Sequence, residues 1–445
     1  VGLQQPYKVV EIAHVKRHDS SSTGGFYRYP NKFASTGQGR GARLSCAHRG
    51  LQPRQCDITR GMAARVVRGL LLVGLTLGLL FVGGLFILLV NFSGWDFRNN
   101  LWGPAHLVWL GRSAYAIHLL FPDGSNAIWL PQAIGVFLPV GLLPLQQASN
   151  LWLLLNSGAL AALGWYVLRR AEKRRPEPWR LGIILLVSSL FPPTIHHFVL
   201  GQIDLMVMLA MIGAAYFTEK GRIVLAAILL AFSLTKPQLC IIVVPSAVAY
   251  LIIMGRLKSA VSLMIFTPIA GAVMTMPMWL ADISWWNDLL ANLRRNPRWE
   301  QPSTLWLIEV HVGLSGPGIL IFGLIFAGCL LAAVYLWLRT GPVQGTVWGV
   351  ALTTIAGTYM WSWDFVLLLP LLVDTAARAK QWQVIIGLLG IWLGALVFTL
   401  LSFQPAPASN ARLWWLPYWV ILGLVACRWA GRLGRNPGRP AQIMG

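Results

Sequence analysis

Charge is scarce in this 445-residue chain. Asp, Glu, Lys and Arg together make up 11% of it, where a soluble chain carries about a quarter, so a fully water-solvated exterior is excluded. The alternating segments of about ten residues that mark an outer-membrane barrel are missing as well. Cysteine is sparse: Cys46, Cys56, Cys240, Cys329 and Cys427 show no close pairing, so neither a disulfide framework nor a metal motif is expected. Three of the five lie inside apolar runs, where Cys acts as a small hydrophobe. No His, Cys, Asp or Glu cluster has metal-ligand spacing. No cofactor is therefore expected, although outward-facing acids could gather around a divalent metal.

What the chain has in quantity is apolar surface. It is 56% hydrophobic, contains 22 Trp and repeats long apolar runs along most of its length. That pattern specifies an all-α polytopic membrane protein. The formal charge of +21 does not mark a nucleic-acid binder. Its basic residues sit mostly in short loops between apolar runs, the positive-inside signature of a bacterial-type plasma (inner) membrane protein.

Residues 1–61 are polar, rich in Ser, Gly and Arg, and contain no Met. Met62 opens M-A-A-R-V-V-R-G-L-L-L, which reads as the natural start of a membrane protein. Residues 1–61 are thus expected to be an upstream translation artefact or a disordered tail, with a genuine basic cytoplasmic tail as the alternative. Residues 62–430 are expected to form the membrane domain and 431–445 a basic cytoplasmic tail.

The first span is predicted at 69–92, uncleaved, with Arg65 and Arg68 before it. That puts the N-terminus inside and Asp96 outside. The run 128–144 is short and carries Pro131, Pro139 and Pro144. If it crossed, the basic loop 169–180 would fall outside, so it is predicted to re-enter or lie in the interface. Further spans follow at 150–168, 181–195, 203–218, 222–236, 238–254, 259–279, 317–338, 346–360, 364–377, 383–402 and 414–430. That makes twelve, with both ends cytoplasmic. Inside segments after the first span then hold 17 Lys and Arg against Glu172, Glu177, Glu219 and Asp374, while outside segments and outer span ends hold seven basic residues against eight acids.

Several spans are short, and their outer ends carry polar side chains. Ionisable groups at membrane depth are functional candidates. Asp96 stands in S-G-W-D-F-R-N just past the first span, as either a solvated loop acid or a placed one. His196, His197, Gln202 and Asp204 belong to H-H-F-V-L-G-Q-I-D, a tight outer turn that could equally serve capping. Lys236 in T-K-P-Q lies between two apolar runs, where it either snorkels or binds an anion such as phosphate. Arg294, Arg295 and Arg298 crowd an outer loop (280–316) that also reads as an amphipathic interfacial helix over W-W-N-D-L-L-A-N-L-R-R. Trp363 and Asp364 in M-W-S-W-D-F form a polar corner with sugar-stacking rings, or a simple helix N-cap.

Acids, an anion-binding cation and aromatic rings at one membrane face suit sugar transfer from a lipid-phosphate donor. The leaving phosphate needs cations, and the acceptor hydroxyl needs a carboxylate base. A transporter or flippase of lipid-linked sugars would use the same cations and rings. It would more often show internal repeats or midplane helix breaks, and no convincing repeat is visible. A catalytically dead binding or assembly factor is a third reading, favoured by loss of the acid at 96, which is present.

The chain resembles the membrane-embedded glycosyltransferases of the C-type fold, and more closely family 87, the polyprenyl-phosphate-mannose-dependent alpha-mannosyltransferase-like proteins. The likeness rests on the order and spacing of several short pieces. They are W-D-F, the outer segment L-V-W-L-G-R-S-A-Y, L-P-Q-A-I-G-V-F-L-P-V-G-L-L-P-L-Q-Q-A-S-N-L-W-L-L-L-N, G-Q-I-D-L-M-V-M-L-A, L-A-F-S-L-T-K-P-Q and W-S-W-D-F-V-L-L-L-P. Together they cover roughly residues 63–375.

The resemblance implies a polyprenyl-phosphate-linked sugar donor, a glycan or lipid acceptor, an outward active site among membrane lipids, and inversion at the sugar carbon. Asp96 matches the family's catalytic base and Lys236 its Lys-Pro position near the donor phosphate. Gln202 and Asp204 match its Gly-Gln turn, and Asp364 its Ser-Trp-Asp corner. The outer arginines and His196 or His197 would assist at the phosphate. Three departures leave acceptor and donor sugar open. Trp129-Leu130-Pro131 stands for the common Tyr-Pro-Pro, Asp204 for a frequent Asn, and Phe365 for a frequent His or Tyr.

Overall fold

The computed structural model describes residues 94–433 except 123–125, 174, 296–300, 315, 380 and 403–409. The expected extension 1–61, the first span 69–92, most of the C-terminal tail and Arg298 lie outside the described residues. Within them the chain is helical throughout, with no strand.

Five helices are long and apolar enough to cross a membrane: Leu145–Glu172, Leu257–Ala281, Pro317–Thr340, Trp382–Ser402 and Asn410–Ala430. This is a multi-pass membrane protein. Pro317–Thr340 shows why lipid is its solvent, since Ile319, Leu320, Leu324 and Leu331 stay between 59% and 70% exposed. In water such a face would cost too much to leave uncovered.

Each span expected beyond residue 145 coincides with helix, but some are broken. The one expected at 181–195 is a pair, Pro178–Ser189 and Pro192–Leu200, bent by 73°. Pro192 and Pro193 force the break, because the residue before a proline is driven out of helical geometry, and Phe191 is extended. The 238–254 region is likewise split into Pro237–Cys240 and Val243–Ile253. The 128–144 run contains only the short turns Gln132–Val136 and Leu138–Leu142. Five helical residues rise about 7.5 Å, far too little for a crossing, and the run packs as a broken segment. A Cβ on Gly135 would sit 1.7 Å from Met274 O and one on Gly141 2.5 Å from Ala105 C. Both approaches need glycine.

At the centre lies Asp204–Glu219, with Leu205, Val207, Met208 and Met211 fully buried. It packs on Ile223–Ser233, Pro342–Ala356, Leu145–Glu172 and the tight turn Asp364–Leu368. Trp285–Arg295 is the expected amphipathic helix, turning Trp285, Leu289 and Asn292 inward.

Candidate active site

The helix that starts at Trp95 runs to Trp109 through a π-helical turn at Arg98–Trp102. Pro104 is the local cause. It lacks an N–H and crowds the carbonyl one turn back, and such widened turns are frequent at functional sites. Asp96 lies in the first turn, outside the spanning helices, and is half-buried. Asn100, one turn on, donates from Nδ2 to Asp96 Oδ1 at 3.0 Å.

Two glycines bring a second chain segment to this acid. Gly201 has φ +70°, and a Cβ there would sit 2.7 Å from Phe97 Cβ. A Cβ on Gly94 would lie 2.9 Å from Gly201 N. With neither side chain present, the turn after Pro192–Leu200 docks on the start of the Asp96 helix, and Trp152 Nε1 donates to Gly201 O at 2.8 Å. Gln202 then reaches Asp96, its Nε2 donating to Oδ2.

Gln202 is also an acceptor. Lys236 Nζ donates to its Oε1 at 2.6 Å, and lies 2.6 Å from Asp204 Oδ1 and 3.1 Å from Asp364 Oδ1. The ammonium therefore has two hydrogen bonds, to Gln202 and Asp364, and a close ion-pair contact with Asp204. Asp204 and Asp364 are 0% exposed and Lys236 is 5% exposed. Charges removed from water persist only when paired in this way. Asp364 Oδ2 also accepts from Trp361 N at 2.9 Å, and the Trp361 and Trp363 rings stack at 5.0 Å.

The two histidines part ways. His197 is fully buried, 3.0 Å by Nε2 from Asn156 Oδ1 and 3.7 Å by Nδ1 from Asp204 Oδ2. It braces Asp204 from behind. His196 is half-buried, with Nδ1 3.1 Å from Ser362 Oγ.

Arg294 and Arg295 are exposed at the end of the amphipathic helix. Arg295 bonds within its own helix, to Ala291 O and Asn292 Oδ1. No hydrogen bond or ion pair among the described residues joins either arginine to the acid cluster. Asn292 does tie that helix to the site's outer wall, donating to Tyr115 O and Ala127 O at 3.0 and 3.1 Å.

The structure brings to the site residues that the sequence did not assign to it. Asn100 is a clamp, since its Oδ1 accepts from Ile128 N and Trp129 N at 2.7 and 3.3 Å. The Asp96–Asn100 spacing, one helical turn, was the available signal. Trp129, held by Tyr115 OH at its carbonyl, lies 5.4 Å from Lys236 Nζ. Asn156 is a polar residue inside an otherwise apolar span, itself a sign of function. Arg98, two residues past Asp96, lies over the Trp95 and Phe121 rings at 4.5 and 4.3 Å.

Enclosure by protein lifts the Asp96 carboxyl to about 7, against the pull of Lys236 and helped by the Asp204 charge. Near neutrality it exchanges protons readily, as a general base must. Among the described residues no group of three His, Cys, Asp or Glu is disposed to hold a metal. Where the acids do converge, Lys236 stands between them.

The sequence profile of glycosyltransferase family 87 matches residues 130–370, more than half of the chain. No protein in the curated set compared with the chain matches it.

Proposed function

The chain belongs to glycosyltransferase family 87 and is a glycosyltransferase, and on that premise we propose that it moves a hexose, mannose by resemblance, from a polyprenyl-phosphate donor to a glycan or lipid acceptor. The reaction is placed at the outer face of a bacterial-type plasma membrane, in a C-type fold whose shorter helices complete twelve crossings with both termini inside. Asp96 takes the acceptor hydroxyl's proton. The acceptor oxygen then bonds to the anomeric carbon, the bond from that carbon to the phosphate oxygen breaks, and the polyprenyl phosphate leaves with inversion.

One observation carries the choice of base. Of the three clustered acids, Asp204 and Asp364 are sealed and paired with Lys236, while Asp96 keeps an accessible face. Neutral amides from Asn100 and Gln202 hold it without neutralising it. Trp363, stacked on Trp361, offers a sugar-facing ring, and the buried Gln202, Asp204 and Asp364 act from behind it by orienting the base and its surroundings. For the donor phosphate we assign Arg294, Arg295 and Arg298 with His196. Lys236 joins them when the phosphate replaces its longest contact, Asp364 at 3.1 Å. His197 supports from the second row. The alternative of a lipid-linked sugar transporter draws on the helix breaks at 190–191 and 241–242, whereas the family match favours sugar transfer.

The test supplies purified protein in proteoliposomes with polyprenyl-phosphate-mannose, polyprenyl-phosphate-glucose or a nucleotide sugar, together with mixed lipid and glycan acceptors. Transfer from a lipid-phosphate donor alone is expected. Transfer from the nucleotide sugar without a lipid carrier would overturn the donor assignment.

A further inference from the structure

A cavity lies away from the acid cluster. The Asp364–Arg378 stretch has the acid cluster at its start and this cavity at its finish, roughly 20 Å away at about 1.5 Å per residue. Its volume is about 920 Å³, within the range of pockets that hold small ligands. Ends of the long helices frame it, and four cations line it: Arg170, Lys173, Arg378 and Arg428.

Basic residues at helix C-termini have an ordinary explanation in the helix dipole and the positive-inside rule. That explanation does not build a cavity or aim its cations. Here a buried carboxylate does so. Asp374 is 2% exposed; Arg378 Nε donates to its Oδ1 at 3.0 Å and Arg428 Nη2 to its Oδ2 at 2.6 Å. Gln344 Nε2 closes the network at 2.9 Å. Arg428 is also fixed against the Trp348 ring at 4.8 Å. Side-chain exposure of 48% remains on Arg378 and 23% on Arg428. Lys173 has φ +58°, alone among described non-glycine residues in that region, and its side chain is exposed on the cavity wall. Arg170 pairs with Glu219 at 2.8 Å. With both carboxylates counted, a positive excess is left facing the space.

We propose that this cavity binds an anionic, phosphate-bearing headgroup, taken from a membrane phospholipid. Arg378 and Arg428 present guanidinium groups to the phosphate oxygens, and the apolar lining residues Leu336 and Val384 receive the glycerol and first acyl carbons. Basic pockets between helices of a cytoplasmic leaflet recognise such headgroups by this chemistry.

The test uses the purified full chain in detergent. Phosphatidylglycerol, phosphatidylcholine and inorganic phosphate are titrated separately, with binding read by native mass spectrometry for the lipids and thermal unfolding for phosphate. The wild type is expected to retain phosphatidylglycerol over phosphatidylcholine, and Arg170→Gln with Lys173→Asn is expected to weaken that retention about tenfold. Asn keeps the left-handed turn at 173. Arg378→Gln in the same assay serves if the double variant fails to fold. A matched pair on other loops, Arg222→Gln with Lys258→Gln, is expected to leave retention unchanged. Protection by millimolar phosphate with no lipid preference would support the same phosphate chemistry with a soluble source. Equal retention of both lipids without phosphate protection would overturn the proposal, as would an equal loss in the matched pair.

Discussion

Lys236 Nζ stands 2.6 Å from Asp204 Oδ1, both side chains sealed from solvent. A second acid, Asp364, completes the ion cluster at 3.1 Å. This arrangement divides the acids into two kinds. Two are bound to an ammonium, and among the described residues Asp96 takes its hydrogen bonds from the amides of Asn100 and Gln202. In the proposed mechanism this division separates a base from a scaffold built of the same residue type.

Removing the ammonium leaves two buried carboxylates without their cation. Lys236→Met is therefore expected to destabilise the protein by about 3–5 kcal/mol, read as a lowered unfolding temperature in detergent. Adding Asp204→Asn and Asp364→Asn to Lys236→Met is expected to recover much of that loss. No recovery would mean that Lys236 stabilises by packing rather than by charge.

Asp96 must be ionised to accept a proton. With its carboxyl raised to about 7, kcat/KM is expected to be low in acid, to rise through about pH 7 and to level off above it. A profile flat from pH 5 to 8 would contradict this.

Gln202 donates to the ionised form of Asp96, so its loss should disfavour that form. Gln202→Ala is expected to move the midpoint of the pH profile upward and to lower the plateau about tenfold. A lower plateau with an unmoved midpoint would place Gln202 on the substrate instead.

Gly201 has no room for a side chain. Gly201→Ala meets both a left-handed backbone angle and Phe97, and is expected to cost about 1–3 kcal/mol of stability. It should also separate Gln202 from Asp96, so transfer falls more than the unfolding temperature alone would suggest. Both are measured on one preparation. Full activity in this variant would show that contact between the two turns is not required.

Much of this was legible in the sequence. Apolar runs located the helices, charge asymmetry flagged the prolines of 128–144, and polar residues at the ends of apolar runs pointed to Asp96, Gln202, Asp204, Lys236 and Asp364, which the structure draws together. Their mutual arrangement was hidden, because Gln202 lies 106 positions from Asp96 and Asp364 lies 128 from Lys236. No local pattern encodes such pairings. For the same reason an isolated Lys236 reads as a free anion binder, and only tertiary contacts reveal its carboxylate partners. The buried Asp374 that organises the opposite cavity counted only as one of four inner-side acids, since burial is not a property of sequence neighbours.

The most direct measurement compares wild type with Asp96→Asn in proteoliposomes containing radiolabelled polyprenyl-phosphate-mannose and mixed acceptors. Matched unfolding temperatures confirm that both are folded. A general base contributes about 10²–10⁴-fold, so transfer by Asp96→Asn is expected to fall by at least about a hundredfold while the donor still binds. Transfer within about twofold of wild type, far inside that range, would contradict the assignment of Asp96 as the base.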